Sequence, residues 1–242
     1  MKTTSRISFI LLSVLLMMQS IGAFAQRGNF TMDYSNAQQF FADINGRPLY
    51  LKVDYFVGGP AFHPSDYFLA TIVMPGGKAY RDIPVKFNLM ENLLIYRTPS
   101  GQELVSVVPA VRVVYTDTAD YGKMHGKIFE RGYGSINSLG PDTWYEVLDT
   151  GMVQLLKHYR VYYTDQKHYN SPSISRVFFE KEDYYIALPD GSVKKLDKGA
   201  QSIVDILPDK KDKITAFITR ENLKCKKEGE WKRVIAFYNT LE

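Results

Sequence analysis

The chain has 242 residues, with 30 Lys/Arg against 26 Asp/Glu and a formal charge of +4. That length can enclose a full hydrophobic core, and so even a charge balance lacks the basic stripe of a nucleic-acid binder. A single cysteine, Cys225, excludes an intramolecular disulfide, so stability must come from packing. The aromatic residues, 17 Tyr, 14 Phe and 2 Trp, suit half-buried sheet faces.

The first residues read as a secretory signal peptide over 1–25. Lys2 and Arg6 form a basic start, residues 7–18 are apolar apart from two serines, and Ala23-Phe24-Ala25 offers a small-x-small cleavage site before Gln26. The apolar run is shorter than the roughly 20 residues a membrane span needs. No cysteine stands at the cleavage site to carry a lipid. The expected location is therefore the periplasm or the extracellular space, with no transmembrane segment once the signal is removed. Charge is uneven in what remains: residues 193–242 hold 12 Lys/Arg against 8 Asp/Glu, and residues 26–192 hold 16 against 18. The basic C-terminal part reads as a solvated helical surface.

After a polar leader, residues 40–44, Asn45-Gly46 and residues 49–56 predict a hairpin, because Asn-Gly accepts positive φ at both positions. Pro48 places the second strand at an edge. His63 falls in a loop over residues 61–66. The clearest signal is residues 68–115, where period-2 strands alternate with turns at Pro75-Gly76-Gly77, residues 88–92 and Pro99-Ser100-Gly101. Residues 117–140, with five glycines, break the pattern and predict a long irregular loop; such loops are frequently functional. Strands resume at residues 144–148, 152–163, 176–180 and 184–188. A polar loop spans residues 164–172, and Pro189-Asp190-Gly191 turns into residues 193–196. From residue 198 the texture becomes helical. A short helix stops at Pro208, Asp209 is placed to cap a second, and Trp231, Val234, Ile235, Tyr238 and Leu241 form one apolar stripe on a third, with Lys232, Arg233 and Asn239 facing away.

The predicted fold is mainly β: an antiparallel meander, sandwich- or barrel-like, over residues 26–197. It divides into sub-sheets at 40–116 and 142–197 and is followed by a segment of two to three helices over 198–242 that packs on the sheet.

Three stretches carry a resemblance: residues 71–97 (TIVMPGGKAYRDIPVKFNLMENLLIYR), residues 145–162 (YEVLDTGMVQLLKHYRVY) and residues 177–242, which include YYIALPDGSVKKL and ILPDKKDKITAFI. In these the chain resembles uncharacterised secreted proteins of Bacteroidetes-type bacteria. The resemblance implies export, a strand-rich body and a helical C-terminus. It implies no activity and no catalytic residues.

Motifs for chemistry are sparse. The four histidines, His63, His125, His158 and His168, show no metal-ligand spacing, so neither a metal nor another cofactor is expected. There is no G-x-S-x-G elbow and no phosphate-binding glycine loop, and Gly132-Tyr133-Gly134 lacks the strand-helix frame. Ser192-Val193-Lys194-Lys195 matches S-x-x-K but leaves a hairpin turn rather than opening a helix. The binding candidates are Tyr121, His125 and Tyr133 in the glycine-rich stretch and His168 in the polar loop. Glu146, Asp149, Glu180, Glu182 and Asp183 are available as paired carboxylates. The functional expectation is an exported, non-enzymatic envelope protein with a binding, scaffold or accessory role, whose partner is an envelope protein or a glycan. The alternative is a hydrolase acting on glycan or peptide through those carboxylates or a loop histidine.

Overall fold

The computed structural model describes residues 33–44, 46–49, 56–58, 62–117, 123–167 and 174–241. The predicted signal peptide, most of the predicted strand over 49–56, and the candidates Tyr121 and His168 lie outside these residues.

The chain is mainly β with helices at its C-terminus. Its strands are β1 (Asp33–Ser35), β2 (Gly46–Pro48), β3 (Phe56–Gly58), β4 (His63–Val73), β5 (Lys78–Asn88), β6 (Leu93–Arg97), β7 (Glu103–Ser106) and β8 (Arg112–Tyr115), followed by β9 (Ile128–Glu130), β10 (Tyr145–Val147), β11 (Gln154–Lys167), β12 (Ile174–Ala187) and β13 (Val193–Leu196). The helices are α1 (Ala37–Asp43), α2 (Ala200–Ile206), α3 (Lys211–Arg220) and α4 (Glu228–Thr240). Among the described residues, eleven strands join in one hydrogen-bonded path, β13-β12-β11-β10-β9-β8-β4-β5-β6-β7-β2, with β1 added beside β5 and β3 beside β12.

The meander over residues 68–115 forms as its alternation dictates, with one change of order. β8 does not continue outward from β7. It returns to pair with β4, matching Val73 with Arg112 and Ala70 with Tyr115. This closure buries both ends of the stretch: Ile72, Ile83, Phe87, Tyr96 and Tyr115 enter one core with Phe129 and Trp144. Each such side chain contributes roughly 1.5–3 kcal/mol by leaving water.

The predicted hairpin at Asn45-Gly46 is replaced by a helix and a separate edge strand. Residues 37–43 are helical because the Asn36 side chain accepts a hydrogen bond from Gln39 N at 2.9 Å, capping the first turn. Phe40 then docks edge-on against Tyr80 and Tyr96, at ring separations of 5.2 and 4.9 Å. β2 pairs with β7 rather than with residues 40–44. Tertiary packing of one phenylalanine overrides the turn signal.

The stretch over residues 117–140 is not irregular throughout. β9 lies within it and bridges β8 to β10. Nor do residues 164–167 belong to a loop: β11 and β12 pair along fourteen residues each, from Gln154↔Ala187 to Lys167↔Ile174.

On this long hairpin, alternation sorts side chains onto two faces. Leu155 and Ile186 face the C-terminal helices, in a core with Ile203, Ile214, Trp231, Val234 and Ile235. Tyr145, Leu156, Tyr185 and Val193 form a cluster on the other face, covered by Tyr133, Ile136 and Leu139. Of the predicted apolar stripe, Trp231, Val234, Ile235 and Tyr238 are buried on α4 and Leu241 is half-buried at its C-cap, but Asn239 does not face away. Its amide donates to Asp149 and to the Val153 carbonyl (2.8 and 2.9 Å), and its oxygen accepts from Val153 N (3.0 Å). Asp209 does not cap α3, whose N-cap is Lys210 in the left-handed region; its carboxylate accepts from the Tyr238 hydroxyl instead.

Candidate functional site

Of the sequence-derived candidates within the described residues, His125 and Tyr133 take separate places. His125 lies on an exposed turn before β9, its Nδ1 3.1 Å from the Thr116 carbonyl. Tyr133 is half-buried and packs edge-on against Tyr145 at 5.6 Å, so it serves the cluster beneath it.

The structure instead assembles a polar cluster on the helix-facing side of the β11–β12 hairpin. Lys157 sits there by strand alternation, between Leu155 and Tyr159, and is only 6% exposed. Its ammonium lies 2.6 Å from Glu228 at the start of α4, 3.4 Å from Glu182 and 3.7 Å from the buried Glu146. Lys127 approaches Glu146 from β9's side at 3.3 Å. The Tyr159 hydroxyl donates to Glu146, and the Tyr184 hydroxyl bridges Glu182 (2.7 Å) and Glu228 (3.0 Å). Beside this cluster the His63 ring packs against Tyr159 at 4.1 Å, tilted by 30°, and Nδ1 lies 3.2 Å from Glu180. His63 is thus a packed residue at the head of β4, not a loop residue.

The electrostatics are those of a matched ion cluster. Burial disfavours a charge on Lys157, but the Glu228 hydrogen bond and the surrounding carboxylates outweigh it and hold the ammonium above its ordinary range. Burial likewise pushes the Glu228 carboxyl up, and Lys157 more than reverses that, leaving it below the usual glutamate range. Both groups therefore stay charged at neutral pH, which suits docking of α4 onto the sheet rather than proton transfer. Glu146, Glu182 and Glu228 all converge on an ammonium, so the place a cation would take is filled by Lys157. Among the described residues no group of three or more His, Cys, Asp or Glu is arranged to hold a metal ion, and no helix is long and apolar enough to cross a membrane.

Two surfaces adjoin this cluster. The first is a cavity of about 680 Å³ between β12, the end of β13 and the start of α4, floored by Tyr184 and Trp231. The second is the distal half of the hairpin. Tyr162 and Phe179 are directly paired across the strands and stack at 5.5 Å with an interplanar angle of 21°, at 48% and 40% exposure. On the opposite face Tyr163 is 42% exposed and carries the Arg176 guanidinium 3.8 Å above its ring. Arg176 also grips Asp165 with two hydrogen bonds of 2.7 and 2.8 Å, which fixes the strand pair at this end.

Sequence reasoning missed Lys157, although a signal was present: it is a charge on the apolar side of an alternating strand (Leu155, Lys157, Tyr159, Val161). Glu228 gave no comparable signal, since a glutamate in the first turn of a helix is common. No family model, no curated protein and no solved structure matches the chain.

Proposed function

We infer that the protein is an exported envelope protein with a binding or accessory role, non-enzymatic, and that its contact surface is the distal half of the β11–β12 hairpin. The observation that carries this reading is the exposed, stacked Tyr162/Phe179 pair on a strand pair locked by the Arg176 clamp. Large apolar rings held rigidly in water are costly to leave uncovered and favourable to cover, and they lose little conformational freedom when a partner arrives. Both a protein surface and a sugar ring would stack on such a pair. Of the five carboxylates available to a hydrolase, Glu146 and Glu182 are engaged by Lys157 and by tyrosine hydroxyls, Asp149 by Asn239, Glu180 by His63 and Asp183 by Arg160, which weighs against a role in acid–base exchange.

Export under this reading places the mature N-terminus at Gln26, which intact-mass measurement of the native protein would verify. The binding role is tested by capture from the native envelope with mass spectrometry, together with a glycan array, using the wild type and the Tyr162→Ala/Phe179→Ala double variant. The expected result is a specific partner retained by the wild type and reduced at least tenfold by the double variant. Equal retention by both proteins would remove the hairpin face from the proposal.

A further inference from the structure

The two faces of the distal hairpin differ in chemistry. β11 and β12 stay in one register from Gln154↔Ala187 to Lys167↔Ile174, so directly opposite residues share a face and successive pairs alternate. On the face that continues from Leu156 and Tyr185, the rows run Arg160/Lys181, Tyr162/Phe179, Thr164/Val177 and Gln166/Ser175. The other face holds Val161/Glu180, Tyr163/Phe178 and Asp165/Arg176. There the rings are already engaged, since Phe178 is buried and the Arg176 guanidinium lies over Tyr163.

The first of these rows sets two cations directly opposite each other, an arrangement that repels. The carboxylate nearest in register on that face is Asp183, one row back, and it is shared between Arg160 at 3.1 Å and Lys195 at 4.0 Å. Arg160, Lys181 and Lys195 thus stand against Asp183 alone on this face, whereas the other face sets Glu180, Glu182 and Asp165 against Arg176 and Lys167. Lys181 is exposed and has no ion-pair partner among the described residues.

The shape favours a chain-like ligand. The strip is two side chains wide, about 10 Å, and four rows long, about 20 Å. Its footprint of roughly 200 Å² is far below the roughly 800 Å² that each partner buries in a stable protein interface. The paired strands turn their backbone groups sideways, so a ligand lying on this face meets side chains only. A sugar ring offers C–H faces that stack on aromatic rings and hydroxyls that bond to Thr164, Gln166 and Ser175.

We propose that this face binds an acidic, uronate-containing polysaccharide lengthwise, with one sugar on Tyr162/Phe179 and a carboxylate between Arg160 and Lys181. An anion in that place relieves the repulsion within the row, and the guanidinium fork of Arg160 matches a carboxylate. The rows lie about 7 Å apart, so one short stretch of ligand meets the rings and the cations together. This inference rests on the distal hairpin being the contact surface and names the class of its ligand.

The test is biolayer interferometry of the immobilised full chain with polyglucuronate and polygalacturonate, each also after carboxyl reduction to the neutral glycan, and with polyglutamate. Binding of at least one uronate polymer is expected, at least tenfold tighter than its reduced form and than polyglutamate. Lys181→Gln should weaken that binding at least fivefold with an unchanged urea midpoint, because the side chain is exposed and unpaired. Tyr162→Ala/Phe179→Ala should weaken it at least tenfold. Equal binding of the reduced glycans would remove the carboxylate from the proposal, and equal binding of polyglutamate would leave charge without sugar recognition; either overturns it. Binding of neither uronate overturns it too. Capture of a protein partner that depends on Tyr162 and Phe179, without uronate binding, would sink this inference and keep the contact surface. Uronate binding that ignores both the ring and the Lys181 substitutions would sink both.

Discussion

The two halves of the β11–β12 hairpin share one register and one pattern of alternation, yet they have opposite fates. In the proximal half, Leu155, Leu156, Tyr185 and Ile186 are buried on both faces, against the C-terminal helices on one side and Tyr133, Ile136 and Leu139 on the other. In the distal half the equivalent cross-strand pairs leave Tyr162, Tyr163 and Phe179 in water, and only Phe178 is buried. Alternation decides which face a side chain joins, while depth is decided by which distant segments of the chain dock on that face. Between the halves sits Lys157, whose ion cluster marks where the helical cover begins.

This contrast can be broken or sharpened by substitution. The largest effect is expected from Lys157→Met, which leaves Glu146 and Glu228 without their shared cation; the loss is about 3–5 kcal/mol, read from urea unfolding. Adding Glu146→Gln and Glu228→Gln should restore part of it, and no restoration would mean that packing, not charge, dominates there. Next, Ile186→Ala in the proximal half should cost about 2–5 kcal/mol. Gly151→Ala comes third. A Cβ there would lie 2.0 Å from the Asn239 amide, displacing the hydrogen bonds that tie α4 to the turn before β11, for about 1–3 kcal/mol.

The pH dependence has a definite sign. Burial holds the His158 imidazole below its ordinary value of 6.5, so the unfolded chain binds the proton more readily and stability falls as pH drops below 6.5. Glu228 is held below 4.5, so its stabilisation is complete above that value and is lost as pH falls through its folded one. Lys157 is held above 10.5, so its contribution is complete below that value and is lost as pH rises further. Unfolding midpoints across pH should thus show an acid limb that begins below 6.5 and that His158→Gln flattens there, while the loss from Glu228 as pH falls below 4.5 is kept. The smallest change is expected for Tyr162→Ala, under about 1 kcal/mol for an exposed cross-strand pair. A loss as large as that of Ile186→Ala would show the distal half to be core.

Much of the fold was legible because it rests on local periodicity. The strands over residues 68–115, the hairpin at Pro189-Asp190-Gly191 and the buried stripe of α4 all follow from spacing. What was not legible depends on contacts between residues distant in the chain. Residues 37–43 became helical through the Asn36 cap and the seat of Phe40 between Tyr80 and Tyr96. Asn239 turned inward because Asp149 and Val153 offered it three hydrogen bonds. The ion cluster joins residues 146, 157, 182 and 228, which no local pattern connects. The exposed rings of Tyr162 and Phe179 read in sequence as ordinary sheet residues, since exposure is set by the absence of a cover.

Cys225 is fully buried in the second core, its carbonyl accepting from Gly199 N and Trp231 Nε1 at 2.8 Å each, and burial pushes its thiol above the ordinary range. A thiol reagent can reach that sulfur only when the helices lift from the sheet. The rate of its modification therefore measures how often the second core opens under native conditions. Because the chain has no other thiol, the reading needs no engineered label: the protein carries its own internal gauge of breathing.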